Sequence, residues 1–96
     1  MGSVMKLIDV VQELDSVDGG ATIYAVEPWT ADSPAIVDTE SEAGGLPATA
    51  SGQGMTYFLE VFIARDFLTD WQEAQSQLPT LAEKCERLIR YAVDDA

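Results

Sequence analysis

Apolar residues recur along this chain with two different periods. Val4, Leu7, Ile8, Val11 and Leu14 are spaced for one face of a helix, and Val10 and Val17 widen the stripe. Lys6, Asp9, Gln12, Glu13 and Asp15 fall on the opposite side. This predicts a helix over 3–17, with Ser3 as N-cap and Gly19-Gly20 as the stop. Residues 21–27, ATIYAVE, then read as a strand that is apolar on both faces, hence central or well covered, and Pro28 ends it. Residues 34–39, PAIVDT, give a second strand, close enough to the first for an antiparallel hairpin. Pro34 at its start predicts an edge position.

Periodicity disappears over 40–54, ESEAGGLPATASGQG, which reads as a long flexible or functional loop whose Leu46-Pro47-Ala48 tacks its middle to the body. It returns in 55–64, MTYFLEVFIA, the clearest strand of the chain and the expected centre of the sheet, with Glu60 as its odd acidic member. A helix over 66–76 follows, with Asp66 as cap and Phe67, Trp71, Ala74 and Leu78 on one stripe before Pro79 breaks it. The last helix, 80–93, opens on Thr80-Leu81-Ala82-Glu83, a capping box. Leu81, Cys85, Leu88, Ile89 and Ala92 form its apolar face, and Glu83–Arg87 and Glu86–Arg90 stand at ion-pair spacing. The expected fold is one α+β domain over 1–96. A small antiparallel sheet of about three strands carries three helices mainly on one face, in the order α-β-β-loop-β-α-α. Residues 1–4 contain Met1-Gly2-Ser3, which reads as an expression scar ahead of Met5.

Charge changes this picture most. The 96 residues hold 17 Asp and Glu against 5 Lys and Arg, a net charge of −12. Ten of the acids lie before residue 61 with Lys6 as the only base there, so the imbalance is concentrated in the first two thirds. Such a surface repels nucleic acid and anionic membranes and attracts a basic protein. The expected partners therefore include a basic protein or another copy of the chain, but no nucleic acid and no membrane. No apolar run reaches the length of a membrane span, no secretory signal is read, and one cysteine allows no internal disulfide, so a cytoplasmic setting is expected.

Candidate chemistry is sparse. There is no histidine, which removes Ser-His-Asp and Cys-His catalysis within the chain. Cys85 lies on an apolar stripe and reads as a buried, inert thiol. Asp38, Glu40 and Glu42 alternate like the start of a calcium loop, but the positions that need Gly and Glu hold Ala43 and Thr49. Gly52-Gln53-Gly54 precedes a strand and reads as a turn, not a phosphate cradle. The acids Asp9 with Glu13, and Asp66 with Asp70, read as solvated helix faces, and no cofactor or metal is expected. Trp29 stands apart, in a turn amid acids, as either a core aromatic or an interface anchor.

In size, acidity and lack of catalytic groups the chain resembles bacterial immunity proteins and protein inhibitors that block basic toxins. That resemblance is one of profile and transfers no residue. It implies a non-enzymatic module that masks a basic partner; the acidic stretch 27–42, with Trp29 as apolar anchor, itself supplies the candidate partner-binding residues Glu27, Trp29, Asp32, Asp38, Glu40 and Glu42. A structural or homo-oligomerising domain is the alternative, and a small carboxylate-dependent enzyme using Glu60 the third.

Overall fold

The computed structural model describes residues 4–38 and 54–94. Its elements are β1 (Met5–Lys6), α1 (Leu7–Gln12), β2 (Thr22–Ala25), β3 (Pro34–Asp38), β4 (Thr56–Glu60), α2 (Val61–Glu73) and α3 (Leu81–Asp94). The strands form a four-stranded sheet in the order β1-β3-β2-β4, every neighbour antiparallel. The α+β class and the β2–β3 hairpin match expectation. The strand count, and the element that opens the chain, do not.

The expected helix over 3–17 is two elements. Met5 and Lys6 pair with Ala35 and Pro34 as an edge strand. The helix then starts at Leu7 because its first donors already have acceptors: the Leu7 N–H donates to the Ser33 carbonyl and the Ile8 N–H to that of Ala31, both 2.9 Å. No side chain caps it, and Ser3 lies outside the described residues. It ends at Gln12, well before Gly19-Gly20, and the chain continues in turns. Arg65 reaches across to hold those turns: its Nε donates to the Leu14 carbonyl at 2.7 Å, and its Nη2 donates to that of Val17.

Pro34 does not mark an edge. β3 is interior, flanked by β1 and β2. Proline is tolerated because it is the strand's first residue, and its carbonyl still accepts from the Val26 N–H at 3.0 Å. Conversely, β4 is not the centre of the sheet. It pairs with β2, which is buried at all four residues, and takes the end of the strand order. Nor does it extend to 64. The Val61 N–H donates to the Ala21 carbonyl, and α2 begins there with Glu60 as N-cap. Val61, Ala64 and Leu68 then turn inward at helical spacing. Asp66 is therefore inside a helix, not its cap. That helix stops at Glu73, which leaves Leu78 outside it and 79% exposed.

Within β4 the register steps from Ile23↔Leu59 to Tyr24↔Tyr57, leaving Phe58 as the extra residue of a bulge. Simple alternation would send Phe58 and Leu59 to opposite faces; the bulge allows both to be buried. The main core joins Leu7, Val10, Val11 and Leu14 to Ile23, Ala25, Ala35 and Leu59, and to residues of α2 and α3, so all three helices share one cluster with the sheet. A second cluster contains Tyr24, Ile36 and Met55, with Val26 partly buried against it. Gly54, directly before Met55, takes the left-handed φ of 72° that the expected turn needs. The rest of the 40–54 segment, with Leu46-Pro47-Ala48, lies outside the described residues.

Candidate functional site

The β2–β3 turn is built around Ser33. This buried hydroxyl accepts from the Thr30 N–H at 2.8 Å and donates to the Pro28 carbonyl at 3.2 Å, while the Ser33 N–H donates to the Thr30 carbonyl. The Glu27–Pro28 peptide is cis. The turn is also pinned from outside, because its Ala31 and Ser33 carbonyls receive the first donors of α1. Trp29 is thereby held half-buried. Its indole Nε1 donates to the Ala25 carbonyl at 3.3 Å, and its ring meets Phe58 edge-to-face with centroids 4.8 Å apart.

Beside Trp29 lies a cleft of about 320 Å³, lined by Trp29, Thr30, Ala31, Ala82, Glu86 and Ile89. Ala82, Glu86 and Ile89 stand at i, i+4 and i+7 of α3 and so share one helix face. Among the described residues Glu86 is its only charged lining residue. A larger cleft of about 550 Å³ adjoins it, also lined by Glu86 and Ile89 and bounded by Trp71, Arg87 and Arg90. Both tryptophans of the chain thus border the same stretch of α3.

The expected partner-binding residues do not form one cluster. Glu27 is exposed and accepts from the Thr56 hydroxyl at 3.2 Å. Asp32 is exposed and pairs with Lys6 at 3.5 Å. These two share the turn with Trp29. Asp38 is at the other end of the hairpin, opposite Thr22, whereas the turn follows the Ala25↔Ala35 pair. At about 3.3 Å per residue, the length of β3 separates Asp38 from the turn by roughly 13 Å. Glu40 and Glu42 lie outside the described residues. Glu60 is half-buried across Thr22 from Asp38 and lines neither of the two clefts.

On α3 the capping box forms as expected. The Thr80 N–H donates to Glu83 Oε1 at 2.8 Å, and the Glu83 N–H donates to Thr80 Oγ1 at 3.2 Å. Hydrogen bonding from the Thr80 backbone N–H, and then from the Thr80 side chain, holds the Glu83 carboxyl below its ordinary 4.5. The two expected ion pairs do not form among the described residues. Glu83 serves the cap, and Arg87 lies over the Phe67 ring at 5.0 Å, where Phe67 stacks on Tyr91. Cys85 is fully buried, and its thiol is pushed up to about 11, first by burial and then by the charge of Asp32. A thiol so displaced stays protonated at neutral pH and is a poor nucleophile. Among the described residues no three His, Cys, Asp or Glu side chains are placed to hold a metal ion. No helix there is long and apolar enough to cross a membrane.

The chain matches no family model, no curated protein and no solved structure. The reading of the site therefore rests on its own residues. Sequence reasoning found Trp29 but missed Ala82 and Glu86 as its neighbours. It assigned Ile89 to the core, where Ile89 does pack in part. The available signal was the i, i+4, i+7 spacing of Ala82, Glu86 and Ile89 on a face flanking the buried stripe of Cys85 and Leu88.

Proposed function

We propose that this chain is a non-enzymatic protein-binding module that docks on a basic protein and masks it. The observation that carries the reading is how few cations are left to answer 17 carboxylates. Of the five, Lys6 pairs with Asp32, Arg65 is turned onto backbone carbonyls and Arg87 lies on an aromatic ring. The remaining field is strongly negative. It accelerates the approach of a positively charged surface and disfavours anionic ones. The rigidly tied turn, with a half-buried tryptophan at a cleft, supports docking by a preformed surface.

The test is recovery of a partner from source lysate on the immobilised chain, followed by titration of the purified partner between 50 and 300 mM salt. The expected partner is basic, and its affinity falls by about an order of magnitude over that range, as screening of charge complementarity requires. A recovered partner that is acidic, or whose affinity is indifferent to salt, would refute the proposal.

A further inference from the structure

The geometry points to one chemical occupant for the Trp29 cleft: the side chain of a single arginine or lysine presented by the partner, with its stem on the apolar walls and its cationic head at Glu86. The inference rests on the basic-partner reading and adds the place and the group that is recognised. Three features carry it. The walls given by Ala31, Ala82, Ile89 and the Trp29 ring suit a methylene stem, and long basic side chains bury such stems while keeping their heads polar. Among the described residues Glu86 supplies the one charge of the lining, is exposed and makes no ion pair. No cation among the described residues lines this cleft; Arg87 and Arg90 border the adjoining one. An indole beside a guanidinium adds the attraction of a cation for an aromatic ring. At about 320 Å³ the cleft is at the low end of ligand-binding volumes, suited to one side chain and not to a folded element.

The test uses the whole chain labelled with 15N and a blocked pentapeptide, Gly-Gly-Arg-Gly-Gly, with a second peptide carrying norleucine in place of arginine. Peptide is added at low salt while amide and indole N–H resonances are followed. The arginine peptide should move the Trp29 indole and the amides around Ala82, Glu86 and Ile89 along one saturating curve. The norleucine peptide, which keeps the stem and lacks the head, should bind at least five-fold more weakly. Glu86→Gln should weaken the arginine peptide at least five-fold. Glu13→Gln, which removes an exposed carboxylate outside both clefts, should change its affinity less than two-fold. If the Trp29 indole stays still, or if the two substitutions weaken binding equally, the cleft does not recognise the side chain. Diffuse, salt-sensitive shifts across the acidic surface would then leave the basic-partner reading standing. A purified partner indifferent to salt would instead remove that reading on its own.

Discussion

Arg65 ties the turns after α1 to α2, and its removal has a calculable effect. Arg65→Met keeps most of the apolar stem but deletes the donors to the Leu14 and Val17 carbonyls. A hydrogen bond from a charged donor contributes about 1.5–3 kcal/mol. The guanidinium is half-buried, so water replaces part of what is lost, and the expected net cost is ~2–3 kcal/mol. For a domain of this size that is a large share of a total of about 5–15 kcal/mol. It should lower the thermal midpoint by roughly 10–20 °C. Arg65→Lys should recover at most half, because an ammonium lacks the fork that reaches two carbonyls at once.

Gly19 provides an internal control. A Cβ built at Gly19 lies 3.0 Å from Arg65 Nη1 and 4.0 Å from its Cζ. Because the guanidinium is held by two carbonyls, it cannot swing away freely, so Gly19→Ala should be neutral or destabilising in the natural chain. In the Arg65→Met background the crowded atom is absent. The same substitution should then stabilise by about 0.4–1 kcal/mol through the smaller entropy of the unfolded chain. Urea unfolding at pH 7, followed by far-ultraviolet circular dichroism on the four corners of this cycle, measures both quantities. An Arg65→Met cost below ~0.5 kcal/mol, or a Gly19→Ala effect identical in both backgrounds, would refute the reasoning.

Four further outcomes follow from the same structure. Cys85 ionises at about 11 when folded against 9.0 ordinarily, so the unfolded chain sheds its proton first. Its contribution is complete below pH 9 and lost as pH rises towards 11, a decline of ~2 kcal/mol that should be missing from the pH profile of Cys85→Ala. Thr80→Ala should cost about 1 kcal/mol by opening the capping box. Because the Glu83 carboxyl is held below 4.5, its part of that stability is complete at neutral pH and lost as acid protonates it. Glu83→Gln should therefore flatten the acid limb of a urea-midpoint profile, and an unchanged limb would contradict the assignment. Leu88→Ala removes a fully buried side chain and should cost about 2–5 kcal/mol in the same assay; a loss within experimental error would mean that α3 is not docked as described.

How much of the fold was legible depends on whether its cause is local. The capping box and the buried stripe of α3 were, because both are set by spacings within a few residues. β1 was not. Two residues of strand have no period of their own, and Met5–Lys6 is extended because Ala35 and Pro34 are available to pair with it. The start of α2 was ambiguous in principle. Val61 and Ile63 satisfy alternation with Tyr57 and Leu59, while Val61, Ala64 and Leu68 satisfy helical spacing, so an apolar run of this length supports both readings. The Val61 N–H to Ala21 bond, and the absence of further strand partners among the described residues, decide it.

The site divides in the same way. Net charge is additive over residues, so the preference for a basic partner is readable without coordinates. The place of contact is not, because it depends on which acids share a surface. Only six positions apart, Asp32 and Asp38 are put at opposite ends of a hairpin strand, since an extended strand separates residues faster than a helix. The reverse happens to Trp29 and Glu86. They are more than fifty positions apart, yet the cores of the sheet and α3 bring them to one cleft. The i,i+4 rule would give Glu86 to Arg90, but no such pair forms, and Arg87 turns to Phe67. That leaves a carboxylate with no ion pair among the described residues beside apolar walls. For an exposed acid this arrangement stabilises little within the fold, and it is most useful to a cation arriving from outside.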